Sequence, residues 1–140
     1  MKVLVDTSVW SLALRRRAHG LDAAQHRLVR EVEELIRERR TCIIGPIRQE
    51  LLSGIRDQAV FVRVRDSLRA FLDEPLSTKD FEEAARVGNL CRSAGISGSS
   101  TDFLICAVAL ARKLSVFTLD RDFERYVKQV PLVFHAPRPE

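Results

Sequence analysis

A chain of 140 residues has the size of one compact domain, and it is long enough to bury a core without disulfides or a structural metal. With 46% apolar and 30% charged residues it is excluded from the disordered class, and 23 Lys and Arg against 19 Asp and Glu leave a net +4 that favours a polyanionic partner. Nineteen of the cations are Arg, whose planar fork suits phosphate, although genome base content also enriches Arg. The longest apolar run, Phe103 to Ala111, is too short for a membrane span, and VLV before Asp6 is too short for a secretory leader, so a cytoplasmic protein is expected. Cys42, Cys91 and Cys106 lack metal-site spacing and read as buried free thiols.

Val3–Val5 predicts the first strand, followed by a short helix-like segment. Leu21, Ala24, Leu28, Val32, Leu35 and Ile36 repeat at helical period with charges opposite, which predicts an amphipathic surface helix. Thr41 to Ile44 read as a second strand closed by Gly45, and Pro46 suits the first turn of a helix that buries Ile47, Leu51 and Ile55. Asp57 can cap the next helix, with stripe Val60, Val64, Leu68, Phe71 and Leu72 and an end at Pro75. After a weak strand around Leu76, the Ser77/Thr78 pair opens a helix that turns Phe81, Ala84, Ala85 and Cys91 inward and stops at Gly95. The segment after SGSST is a helix apolar nearly all round, hence buried on several sides. Val116 to Leu119 predict a strand, Asp120 to Tyr126 a short helix, and Leu132 to Phe134 a last strand. Strands alternating with helices imply an α/β domain with a mainly parallel sheet of four to five strands, and residues 1–140 read as one domain without repeats or linkers.

Two strands end on an aspartate, Asp6 in VLVDTSVW and Asp120 in VFTLDRDF. Strand C-termini of a parallel sheet share the edge at which ligands bind, so both carboxylates belong there. Asp102 opens the most buried helix, and Glu50 lies about a turn beyond Pro46, near the same edge. Taken singly, each has an ordinary explanation: Asp6, helped by Ser8, and Asp102 as helix caps, Glu50 as a solvated helix residue, Asp120 as a turn residue. Taken together, four acids at one edge repel one another unless a cation neutralises them, and magnesium or manganese prefers such oxygen ligands. Such ions activate water for attack on phosphate, so no histidine base is needed; His19, His26 and His135 read as surface residues.

These motifs resemble the PIN domains, and among them the VapC-like toxins of bacterial toxin-antitoxin pairs. VLVDTSVW resembles the first acidic motif, IRQELLSG the second, TDFLICAVAL the third and VFTLDRDF the fourth, in the same order over essentially the whole chain. The resemblance implies a three-layer α/β/α fold and a magnesium- or manganese-dependent endoribonuclease, restrained by a small VapB-like antitoxin whose tail crosses the acidic groove, and acting as a homodimer. By the same resemblance Asp6 and Asp102 would be the main metal ligands, completed by Glu50 and Asp120. Asp122 would either bind through water or simply cap the helix to Tyr126. Thr7, Ser8 and Thr118 flank the acids and suit an orienting role, though capping explains Ser8 as well. Some relatives carry an acid at the position of Ile105; its absence puts a second metal in doubt. Arg15, Arg16 and Arg17 are either phosphate contacts or a solvated charge run, and Trp10 reads as core or dimer interface rather than as a stacking platform.

Other classes fit less well. A phosphatase with an aspartate nucleophile of the haloacid-dehalogenase kind expects an acid at position 8, which is Ser8, and a receiver module expects a lysine at the end of the last strand, where none stands. A binding module with acids serving only as caps is the non-enzymatic rival, and a PIN-like DNA nuclease the nearer one, usually on a much longer chain.

Overall fold

The VLV run forms strand β1 (Val3–Val5), whose three residues are wholly buried because it is the middle strand of a sheet. It pairs in parallel with β2 (Thr41–Cys42) on one side and β3 (Ser115–Phe117) on the other, in register Leu4 to Cys42 and Leu4 to Val116. The computed structural model describes residues 1–15 and 20–139. Around the sheet lie α1 (Thr7–Arg15), α2 (Ala23–Arg37), α3 (Gly45–Leu52), α4 (Gln58–Leu68), α5 (Thr78–Ser93), α6 (Ser100–Arg112) and α7 (Asp122–Tyr126). Helix α1 packs against α2, α3 and α4, and α5 lies along α6, giving the expected α/β/α layering. Strands covered on both faces need uninterrupted apolar residues, which is why β1 shows no polar alternation.

Among the described residues the sheet has three strands, and the outer lanes expected near Leu76 and Leu132 shrink to single parallel bridges, Ile43 to Asp73 and Val116 to Phe134. Pro75 and Pro131 stand beside these lanes, and a proline has no N–H to extend a ladder. Helix α4 ends at Leu68 rather than near Pro75. The Arg48 guanidinium donates to the carbonyls of Leu68 (3.0 Å) and Phe71 (2.6 Å) and pairs with Asp73 at 2.9 Å, capping the turn that follows. Phe71 therefore tilts onto Trp10, with ring centroids 5.1 Å apart, while Leu72 points into solvent.

Helix α6 buries seven consecutive residues, Phe103 to Ala109, as its all-round apolar character predicts. Each large apolar side chain so placed contributes roughly 1.5–3 kcal/mol. The buried stripe of α5 is Asp80, Val87, Gly88 and Cys91, with Ala84 partly buried against the core: Cys91 and Ala84 turn inward as expected, whereas Phe81 and Ala85 are exposed. Asp80 heads that stripe because Arg112 of α6 grips both its oxygens at 2.9 Å. Asp57 and Ser99 cap α4 and α6 through their side chains, and all three cysteines are buried free thiols. No described helix is long and apolar enough to cross a membrane.

Candidate active site

Because all three strands run parallel, their C-terminal ends deliver Asp6 and the segment Thr118 to Asp120 to one edge. Asp6 is 5% exposed, and among the described residues its carboxylate takes hydroxyls rather than helix N–H groups: its Oδ2 accepts from Ser8 (2.9 Å) and Thr118 (2.7 Å). Those hydroxyls in turn accept the backbone N–H groups of Leu119 (2.9 Å) and Asp120 (3.0 Å), locking the loop after β3 to the start of α1. Ser8 and Thr118 thus orient the acid as anticipated, whereas the Thr7 hydroxyl is buried with no partner among the described residues.

At the head of α6, Ser99 accepts the Asp102 N–H and performs the capping, which leaves the Asp102 carboxylate for another task. Its Oδ2 accepts from the Tyr126 hydroxyl at 2.7 Å. Burial pushes the Asp102 carboxyl up to about 6; the Tyr126 hydrogen bond opposes that shift, and the charges of Asp6 and Asp120 reinforce it. Burial and the same carboxylate drive the Tyr126 phenol upward, so it remains a donor. Asp120 Oδ1 accepts the Asp122 N–H at 2.9 Å, and one carboxylate oxygen each from Asp102, Asp120 and Asp122 lies within 4.8 Å of the others.

The four acids singled out by sequence are therefore distributed unequally. Asp102 and Asp120 stand together, and Asp6 joins them through Thr118 and through its charge on Asp102. Glu50 is exposed on α3 and makes no hydrogen bond or ion pair with that group among the described residues. Asp122 stands with Asp102 and Asp120, and also pairs with Arg125 at 2.9 Å. Ile105, at the position of some relatives' extra acid, is wholly buried. Arg16, Arg17 and His19 lie outside the described residues, as does the side chain of Arg15. Trp10 is core, fully buried. His135, expected at the surface, is half-buried, its Nε2 2.7 Å from the buried Glu31 and its ring edge-on to Phe117, because the C-terminal segment lies along β3 and reaches α2. The orienting role of Tyr126 is not apparent from sequence, where the only signal is the Asp122/Tyr126 spacing of four, which on a short helix places both on one face.

Among the described residues no Lys or Arg pairs with Asp6, Asp102 or Asp120. Three close carboxylate oxygens with so little cationic relief suit a hard divalent ion in both donor type and charge. The PIN domain model matches residues 3–129. The chain belongs to the PIN domain family. PIN domains are generally nucleases that use divalent metals, and an acidic cluster of that character is present here. Two solved structures share the PIN fold over nearly their whole lengths. FitAcB from Neisseria gonorrhoeae aligns with a TM-score of 0.73 at 20% identity, covering 96% of this chain and 97% of that one. VapBC2 from Rickettsia felis, bound to a DNA fragment from its promoter, aligns with a TM-score of 0.72 at 15% identity, covering 96% and 98%. At these identities the likeness is one of fold. No curated protein sequence matches the chain.

Proposed function

We propose that this PIN domain is a magnesium- or manganese-dependent endoribonuclease and the toxin of a toxin-antitoxin pair. The observation that carries the reading is the carboxylate group of Asp102, Asp120 and Asp122 with Asp6 beside it, in which Arg125 pairs with Asp122 and no described Lys or Arg pairs with the other three. Asp6 and Asp102 would be the principal ligands, Asp120 would complete the set from the loop after β3, and Glu50 would approach from α3. Asp122 would act through water or directly. When bound, the ion supplies activation of water and neutralisation of charge on the phosphodiester. The chain's own part is orientation: Ser8 and Thr118 hold one carboxylate of the set, and Tyr126 holds another.

The partner of such a toxin would be a small VapB-like antitoxin, and the active form a cytoplasmic homodimer. The fold shared with FitAcB and VapBC2 supports the antitoxin partner and the dimer. The deciding experiment incubates purified protein with total RNA, and separately with duplex and single-stranded DNA, with magnesium, with manganese and with chelator, and maps the cut ends. RNA cleavage that needs metal and disappears in Asp6→Asn and Asp102→Asn supports the reading. Cleavage of DNA alone, or cleavage unaffected by both substitutions, removes it.

A further inference from the structure

The segment Leu132 to His135 lies along the free side of β3 as a short parallel lane: the Val116 N–H donates to the Val133 carbonyl at 2.8 Å and the His135 N–H to the Val116 carbonyl at 2.9 Å. Side chains of an extended segment alternate, and these divide accordingly. His135 turns inward to Glu31 and Phe117, while Phe134 turns outward with 40% of its surface exposed. Beyond it the segment is tied down again, with Arg138 donating to the buried Glu31 at 2.8 Å and to Glu38 at 2.9 Å. The ring of Phe134 is thus held in the open from both sides by a fixed backbone.

Phe134 borders a cavity of about 270 Å³ lined also by Leu119, Asp120, Arg121, Phe123 and Glu124. Asp120 is shared between this cavity and the acidic group, so the two adjoin, and a strand whose phosphate lay at the acids would have its neighbouring nucleotide within reach of the cavity that Phe134 borders. The volume is just below the range of drug-sized ligand sites, which admits one ring system rather than a folded ligand. Leu119, 46% exposed, supplies a second apolar surface, and Arg121 a guanidinium for a flanking phosphate. Exposed aromatic side chains beside a nuclease centre act on single strands by stacking, which every base permits.

We propose that Phe134 is the stacking platform for an unpaired base of the RNA strand next to the scissile phosphate, and so a positioning residue for cleavage. The proposal rests on the nuclease reading for its substrate, and the test separates the two. Phe134→Trp is placed in an Asp6→Asn background and titrated with single-stranded oligoadenylate; its emission is compared with that of Asp6→Asn alone, where the wholly buried Trp10 is the sole indole. Quenching that saturates with oligoadenylate, and is absent with an abasic ribose-phosphate oligomer of equal charge, is expected. In the same background, Phe134→Ala should weaken oligoadenylate binding by roughly 5- to 150-fold, Phe134→Tyr should restore it, and Phe134→Leu should not, with every variant folded at the assay temperature by its melting curve.

In metal-activated wild-type protein, Phe134→Ala should raise KM more than it lowers kcat. Oligoadenylate binding by Phe134→Ala as tight as by the Asp6→Asn parent, restoration by Phe134→Leu as full as by Phe134→Tyr, or quenching by the abasic oligomer, overturns the platform while leaving cleavage by the acids intact. Shielding of the introduced indole from acrylamide at rising protein concentration, without RNA, also overturns it, because a second copy then covers the ring. Base-dependent quenching, with metal-activated wild type that cleaves no RNA, upholds base stacking on Phe134 and removes the ribonuclease reading together with the positioning role in cleavage.

Discussion

Replacing Asp102 by Asn removes a charge that the metal-free fold holds at a cost. The carboxyl is displaced from 3.8 to about 6, and a full two-unit shift corresponds to about 3 kcal/mol. Because the side chain is partly open to solvent, screening reduces the recoverable part to about 1–2 kcal/mol. Asn keeps an oxygen for the Tyr126 hydroxyl, so the local packing survives. In chelator at neutral pH, Asp102→Asn should therefore melt about 3–10 °C above the wild type. The pH dependence has a definite sign: a carboxyl whose folded pKa is raised contributes its stability below the unfolded value and loses it as pH climbs through the folded value. The advantage of the variant should thus be absent below about pH 4, grow between there and about pH 6, and stay level above. Added magnesium or manganese should reverse the order, since only the wild type gains binding energy, about 2.7 kcal/mol at a hundred times Kd. Differential scanning calorimetry across this pH series, with and without metal, reads all three effects. A variant that melts below the wild type in chelator at pH 7 refutes the strain assigned to Asp102.

Tyr126→Phe should lower stability by about 1.5–3 kcal/mol in denaturant titrations, as loss of a hydrogen bond to a charged group does, and should weaken manganese binding 10- to 100-fold by calorimetry. Gly98→Ala places a methyl 2.8 Å from Phe103 Cζ and 2.9 Å from Tyr126 Cε1, and on the Tyr126 hydroxyl, so the loop before α6 must shift, at about 1–3 kcal/mol. Chemical unfolding of Gly98→Ser alongside should show a loss at least as large; no loss in either would mean the loop yields freely. Burial pushes Glu31 up, but hydrogen bonds from Arg138 and His135 outweigh it and hold the carboxyl below its usual value of 4.5. Its stabilisation is therefore present above that value and is lost as pH falls through the lower folded one. Glu31→Gln should cost about 1–3 kcal/mol at pH 7 and progressively less in acid, measured by urea midpoints.

Much of this architecture was legible because its elements carry their own periodicity. Val3–Val5 and Ser115–Phe117 sit in short apolar runs, each with an aspartate soon after, and the parallel sheet turns that repetition into a shared edge. Periodicity identifies an apolar face but not whether the chain covers it, so Phe81 and Leu72 fit the apolar stripes of their segments and are nonetheless exposed. The outer lanes were overextended because strand propensity around Leu76 and Leu132 competes with proline's missing donor. For Asp6 and Asp102 the ambiguity between cap and site could not be resolved locally: it depends on Thr118, 112 residues from Asp6, and on Tyr126, 24 from Asp102. His135 likewise needs Glu31, 104 residues away, before it becomes anything but a surface residue.

The central strand also sets the order in which the molecule can form. β1 emerges first, yet one neighbour begins at Thr41 and the other at Ser115, so its ladder closes only across most of the chain. Pairing at such separation makes folding slow relative to helical domains of this size, because loop entropy is spent before the contacts form. The carboxylate edge shares that delay, since the hydroxyl that steadies Asp6 belongs to Thr118. A chain still being synthesised therefore holds Asp6 and Thr118 apart until β3 has formed beside β1. Pulse-labelled hydrogen exchange should show the β1 amides gaining protection together with β3, well after those of α2.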